Sequence, residues 1–244
     1  MKAMILCAGL GTRLKPWTLS HPKALVPVGG EPMLKRVSSS LMNQGFDTQI
    51  INVHHFADQV IDYVAAGSLG GVDVKISDES ELLLDTGGGI LNASGMLAAD
   101  DAPFLVHNVD ILSNADLRRL YETHVASGRD VTLLVSDRDS SRKLVFDDAD
   151  NLAGWINVAS GETRPAGFLP KNNHRELAFS GIYVMSPSVL STMRENGYSG
   201  AFPIMDFFLS IIGTLSIGAV SQPGLEILDI GKPDALRRAE LMFG

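Results

Sequence analysis

The sequence predicts an α/β fold on a mostly parallel sheet, and three observations predict it. Short apolar runs alternate with stretches of helical spacing through the first half of the chain, the signature of βαβ units. The chain has 244 residues, 45% of them apolar, enough to bury a substantial core as one large domain or two small ones. A glycine-rich loop follows the first apolar run directly, and open α/β sheets place ligands beyond the carboxyl ends of their strands.

The elements follow in order. Residues 3–7 form a buried-strand candidate, and residues 33–44 carry apolar side chains at Met33, Leu34, Val37, Leu41 and Met42, a helical spacing. Strands are predicted at 49–53, 72–76, 103–107 and 130–136, with helices at 57–66, 89–97 and 115–127. The second half is less regular. Residues 143–146, 152–158, 178–185 and 225–230 read as strands, 203–212 as a buried helix, and 233–242 as a terminal helix with Pro233 in its first turn. Residues 160–175 are polar and patternless, a loop or a lid.

Composition narrows the function. Lys and Arg number 20 against 28 Asp and Glu, a formal net charge of −8. That excludes the broad basic surface of a nucleic-acid binder. No apolar run is long enough to span a bilayer, the N-terminal run lacks a signal-peptide pattern, and a single cysteine, Cys7, rules out an intrachain disulfide framework. The expectation is a cytoplasmic protein without membrane or nucleic-acid partners. The charge is unevenly spread: the first 36 residues hold Lys2, Arg13, Lys15, Lys23, Lys35 and Arg36 against Glu31 alone.

That basic segment carries the glycine loop, Leu6-Cys7-Ala8-Gly9-Leu10-Gly11-Thr12-Arg13-Leu14-Lys15. Successive N–H groups in such a turn form an anion nest, and a guanidinium beside them suits a polyphosphate. The dinucleotide fingerprint fails, because Leu14 stands where its third glycine belongs; no Gly-Lys-Ser/Thr follows for a P-loop either. On the glycines alone, a tight strand-to-helix turn with solvated basic residues is an equal reading. Lys23 then stands between Pro22 and Pro27 on locally stiffened backbone, a pre-positioned point charge. Two carboxylates, Asp110 and Asp229, stand at predicted strand ends. They read as helix caps or as the one or two carboxylates that Mg²⁺ takes beside substrate phosphates.

The pattern Gly9-x-Gly11-Thr12-Arg13-Leu14 followed by Pro22-Lys23-x-Leu25-x-Pro27-Val28 resembles the signature of sugar-1-phosphate nucleotidyltransferases, also called NDP-sugar pyrophosphorylases. The resemblance continues at Thr86-Gly87-Gly88-Gly89, Asn108-Val109-Asp110, Phe179-Ser180-Gly181-Ile182 and Leu228-Asp229-Ile230-Gly231, and so runs the length of the chain. It implies a Rossmann-like α/β/α sandwich with a mixed sheet, forming one domain: a nucleotide-binding half over 1–112 and a sugar-phosphate-binding half over 113–244. It implies transfer of a nucleotidyl group from a nucleoside triphosphate to a sugar 1-phosphate, as a monomer or homodimer. Arg13 and Lys23 would be catalytic. Leu6, Ala8, Gly9, Gly11, Thr12, Arg13, Gly87, Gly88 and Asn108 would bind nucleotide, and Gly181 and Asp110 the sugar phosphate. Asp110 and Asp229 would hold Mg²⁺.

Two departures stand out. The Glu-Lys-Pro segment of many relatives is missing, with Lys171 and Arg175 as candidate substitutes, and Lys232-Pro233 follows Gly231 where Thr is frequent. Gly154-Trp155-Ile156-Asn157-Val158 and the glycine triplet resemble the branch with N-acetylmuramate-1-phosphate uridylyltransferases, a cell-wall chemistry; mannose- or heptose-1-phosphate guanylyltransferases come next. A non-catalytic nucleotide-sugar-binding module is the alternative class, and no hexapeptide-repeat domain is expected. Asp85 could orient the triplet loop or contact a nucleotide. Asp137 and Asp139 are expected to pair with Arg138 at the surface, Asp147, Asp148 and Asp150 to form a solvated turn, and His54 and His55 to pack or cap a helix.

Overall fold

A computed structural model describes residues 1–231, 235 and 237–239. The first half runs β1 (Lys2–Leu6), a small hairpin β2 (Pro27–Val28) and β3 (Glu31–Pro32), α1 (Met33–Asn43), β4 (Thr48–Val53), α2 (Ala57–Ala65), β5 (Asp73–Asp78), α3 (Asp85–Asn92), α4 (Ser94–Leu97) and β6 (Phe104–Asn108). The second runs β7 (Ile111–Ser113), α5 (Leu117–Ser127), β8 (Val131–Ser136), β9 (Arg142–Phe146), β10 (Leu152–Asn157), β11 (Thr163–Arg164), β12 (Arg175–Met185), α6 (Ser188–Glu195), α7 (Ile204–Ser210), β13 (Ile217–Val220) and β14 (Ile227–Asp229).

Strand β1 shows why the layers form. It is buried throughout, and its side chains alternate between faces. Ala3 and Ile5 join one core with Leu34, Val37 and Leu41 of α1 and Leu117 and Leu120 of α5. Met4 and Leu6 join the other, with Ile90 of α3, Leu190 of α6 and Phe207 and Phe208 of α7. Helices therefore cover both faces of one sheet, an α/β/α sandwich with a mixed, mostly parallel centre. Strands β6, β1, β4 and β5 lie side by side and parallel. β12 inserts antiparallel between β6 and β8, and its first residues pair instead with β9, leading outward to β10 and β11.

Several boundaries differ from expectation. The helix predicted over 89–97 starts earlier and is split, as α3 and α4. Residues 160–175 contain the short strand β11, paired to β10. Strands β7 and β13 and helix α6 had no counterpart in the sequence reading; three- and four-residue strands are too short to show a period. Only residues 235 and 237–239 of the predicted terminal helix lie within the described residues.

Candidate active site

The carboxyl ends of β1, β4 and β6 open into a pocket of about 390 Å³. Leu6, Ala8, Gly9, Gly11 and Thr12 form one wall, and Lys23, Asn108 and Asp110 the floor. Loop backbone leaves the sheet at Cys7, and Gly11 turns it with φ 61°, a left-handed conformation suited to glycine. Among the described residues nothing accepts from the N–H groups of Gly9, Leu10 and Gly11, which leaves them free for an anion. Close packing holds the loop: a methyl on Gly11 would lie 2.8 Å from Thr18 Cγ2 and 2.9 Å from Lys23 Cβ. Thr18 also donates its hydroxyl to the Gly11 carbonyl at 2.9 Å. Lys23 is thereby tied to the loop through its own stem.

The Lys23 ammonium pairs with Asp110 Oδ2, and both side chains are nearly enclosed, 13% and 12% exposed. Asp110 sits in the turn after β6. Antiparallel pairing of β14 with β7 places Asp229 opposite Ile111, next to Asp110, and the Ile230 N–H donates to the Asp110 carbonyl at 2.8 Å. Gly231 closes the group. A methyl there would stand 2.7 Å from Arg13 Nη2, 2.9 Å from Asp229 Oδ1 and 3.1 Å from Asp110 Oδ2. Two carboxylates and a guanidinium therefore surround one Cα, with Lys23 paired to the same Asp110 oxygen that faces it. Across β6, Gly181 takes φ 80°, and a methyl on it would meet Asn108 Nδ2 at 2.8 Å, so β12 runs hard against the pocket floor.

Arg13, Lys23, Asp110 and Asp229 thus meet, and Asn108 and Gly181 adjoin them. Gly87 and Gly88 do not join the pocket wall, and Arg13, Gly181 and Asp229 do not line it directly. Gly87 and Gly88 are buried, and both N–H groups donate to the Phe202 carbonyl, at 2.9 and 3.3 Å. A methyl on Gly88 would stand 2.1 Å from the Gly200 carbonyl oxygen, and one on Gly87 2.3 Å from the Phe202 ring. The glycines there permit close approach of another backbone, and their N–H groups are already engaged by it. The lining comes instead from Leu83, Asp85 and Thr86 just before them. Asp85 adopts φ 57° and accepts from the Thr86 N–H at 2.6 Å.

Asn52 was missed. It stands one residue before the end of β4 in the pocket wall, accepts from the Cys7 N–H at 2.7 Å and donates to Glu79 Oε1 at 2.8 Å. Burial pushes the Glu79 carboxyl up from its ordinary range, against the pull of the Asn52 hydrogen bond. An asparagine between Ile51 and Val53 in a predicted buried strand was the available signal. Arg175, six residues before Gly181 on β12, pairs with Asp150. Arg138 is not paired with Asp137 or Asp139; Asp137 faces Lys143 at 3.8 Å, and Arg138 donates to the Phe179 carbonyl at 3.0 Å. His54 and His55 contact backbone carbonyls of Glu79 and Thr18, a packing role.

The family described as nucleotidyl transferase matches residues 2–243. The chain belongs to that family. It is similar to N-acetylmuramate alpha-1-phosphate uridylyltransferase of Caulobacter vibrioides, at 29% identity over 98% of this chain and 95% of the relative. It is also similar to a mannose-1-phosphate guanyltransferase of Pichia angusta, at 32% identity over 84% of this chain but only 56% of that protein. Among solved structures, the fold is shared with HddC from Yersinia pseudotuberculosis complexed with GMP-PN, at 24% identity and TM-score 0.77, covering 100% of this chain and 99% of that one. It is shared too with a putative glucose-1-phosphate thymidylyltransferase from Bacillus anthracis, at 20% identity and TM-score 0.80, covering 100% and 95%. As a member of the nucleotidyl transferase family the chain is a transferase, and among the described residues no helix is long and apolar enough to cross a membrane.

Proposed function

We propose that the chain transfers a nucleotidyl group from a nucleoside triphosphate to a sugar 1-phosphate, using UTP and N-acetylmuramate 1-phosphate. One observation carries the reading: Arg13, Asp110 and Asp229 converge on Gly231, with Lys23 paired to Asp110, at the rim of a pocket with free N–H groups. That set suits polyphosphate chemistry. The substrate pair is favoured because the uridylyltransferase relative matches nearly end to end, whereas the guanyltransferase extends well beyond the match. GTP with mannose or heptose 1-phosphate is the second reading.

A phosphate oxygen of the sugar 1-phosphate attacks the α-phosphorus of the triphosphate in line. The new O–P bond forms as the bond to the β-phosphate oxygen breaks, and pyrophosphate leaves with the electron pair. The attacking oxygen is already anionic, so no strong base is needed, and catalysis is positioning and charge neutralisation. The free N–H groups of Gly9, Leu10 and Gly11 bind the triphosphate, and Arg13 steadies the departing pyrophosphate. Lys23 faces the reacting phosphates, its stem held against the loop. Asn108 and Gly181 adjoin the sugar. Asp110 and Asp229 fit Mg²⁺: a carboxylate from the turn after β6 and one from β14 converge, and the remaining positions would be left to substrate oxygens and water. When bound, the ion supplies charge neutralisation for the phosphates. We place the enzyme in the cytoplasm, as a monomer or homodimer.

The test is pyrophosphate release across a matrix of UTP, GTP, dTTP and ATP against sugar 1-phosphates. Release should be greatest with UTP and N-acetylmuramate 1-phosphate; a maximum with GTP selects the second reading. No release with any pair, together with tight nucleotide-sugar binding, would mean a non-catalytic binding module.

A further inference from the structure

A second cleft of about 460 Å³ opens at the same edge of the sheet. Four cations line it, Arg138, Arg142, Lys143 and Arg164, against one carboxylate, Glu162. That is a concentrated positive field in a chain whose net charge is −8. Two of the four are already answered. Lys143 faces Asp137, and Arg164 faces Asp206 at 2.9 Å and Glu162 at 3.6 Å. Among the described residues Arg138 and Arg142 pair with no carboxylate.

Arg138 is the more telling of the two. It leaves the carboxyl end of β8 and is half-buried, with one hydrogen bond to the Phe179 carbonyl, and its enclosed Nε has no partner. A buried donor left unpaired is destabilising, and more so when it belongs to a charged group. Guanidinium forks match carboxylates bidentately. Trp155, Phe179, Met205 and Leu209 supply an apolar wall beside it.

The cleft adjoins the catalytic pocket along two elements. Phe179 lies two residues before Gly181, about 7 Å along the strand, and Gly181 touches Asn108 of the pocket floor. Met205 follows Ile204, whose N–H donates to Thr86 Oγ1 in the pocket wall at 2.9 Å. On the transfer reading above, a sugar held by its 1-phosphate near Lys23, with its ring beside Gly181, would have this cleft within reach of its far substituents, since the Phe179 carbonyl that Arg138 bonds is two residues from Gly181.

We infer that this cleft receives a carboxylate carried on the sugar ring, with Arg138 as its receptor, so that the acceptor is an acidic sugar 1-phosphate. This rests on the transfer reading above and assigns a specificity residue to it. The test compares N-acetylmuramate 1-phosphate, whose lactyl ether carries a carboxylate, with N-acetylglucosamine 1-phosphate, which has the same ring without it. Each is titrated calorimetrically into the wild-type protein, Arg138→Gln and Arg138→Lys, and pyrophosphate release is followed in parallel. Wild-type protein should bind the acidic sugar at least about 10-fold more tightly, the lower end expected for a charged hydrogen bond. Arg138→Gln should erase that preference, leave the neutral sugar and UTP unchanged, and raise KM for the acidic sugar more than it lowers kcat. Arg138→Lys should restore part of it. Equal binding of both sugars by the wild type, or equal losses in Arg138→Gln, would overturn the inference while leaving the transfer reading intact. Absence of pyrophosphate with every pair, with the acidic preference still seen by calorimetry, would refute the transfer reading and not the cleft's.

Discussion

Gly231→Ala separates a catalytic role for the four-charge cluster from a structural one. The added methyl would begin 2.7 Å from Arg13 Nη2, 2.9 Å from Asp229 Oδ1 and 3.1 Å from Asp110 Oδ2. Ordinary contact needs roughly 3.5 Å, so these groups must retreat by roughly 0.4–0.8 Å. Arg13 is exposed and can swing away. Asp110 is held by Lys23 through its side chain and by Ile230 through its carbonyl, so the retreat opens the gap between the two carboxylates. A misplacement near 1 Å costs about 10²-fold in rate, or about 2.7 kcal/mol at 1.36 kcal/mol per tenfold. Stability should barely change, because the three nearest atoms all belong to side chains rather than backbone. We expect kcat for pyrophosphate release to fall about 30–100-fold with a melting temperature within about 4 °C of wild type. Normal kcat at unchanged Tm would show that the cluster does not sit at the reacting phosphates. A large fall in Tm, tracking the loss of activity, would make it structural.

Gly88→Ala should do the opposite. Its methyl would sit 2.1 Å from a backbone oxygen that cannot move aside, and overpacking of this kind costs at least about 2 kcal/mol, read as a fall in Tm of about 4–8 °C with kcat of the folded fraction retained. In Asp229→Asn, activity should need at least about 10-fold more Mg²⁺ for half-saturation, since one anionic ligand is lost; an unchanged Mg²⁺ titration would remove Asp229 as a ligand. Lys23→Ala should lower kcat by about 10²–10³, the usual loss for one preorganised charge-stabilising donor, and near-normal turnover would contradict its role. Burial pushes both His107 and His124 down to about 4. Their folded values lie below the unfolded value near 6.5, so the unfolded chain binds more protons between them and stability falls as pH drops from 6.5 toward 4. Each histidine should cost about 2 kcal/mol between pH 7 and pH 5, seen as a falling urea midpoint whose slope shrinks in His124→Asn; a flat midpoint would contradict it.

The sheet and its helices were largely legible because their side chains repeat. β1 alternates between two cores, and α1 turns Met33, Leu34, Val37 and Leu41 inward. What joined Asp110 to Asp229 was not legible, since the β7–β14 pairing rests on two three-residue strands without a period. The glycine triplet shows a second limit. Its composition announces a close approach but not what approaches, and the answer was the backbone at Gly200 and Phe202. Arg138 shows a third: its neighbours Asp137 and Asp139 suggested a local pair, yet at the end of β8 Asp137 turns to Lys143 and Arg138 turns into the cleft.

Lys23 and Asp110 hold the cluster together through their own pairing. Both side chains are nearly enclosed, and either charge alone in that position would be strongly destabilising, by about 3–5 kcal/mol for a broken buried pair. Each holds the other in place. Arg13 and Asp229 add one further charge of each sign beside Gly231, so the cluster balances as it stands. A polyphosphate arriving alone would be drawn to the cations but repelled by two carboxylates. A divalent cation alone would meet the reverse conflict with Lys23 and Arg13. A polyphosphate that brings its counter-cation meets neither, because each component replaces the partner of like sign: phosphate takes over Lys23 as the cation takes over Asp110. Charge balance therefore favours entry of the two together, and the net −8 of the chain leaves this local selection intact.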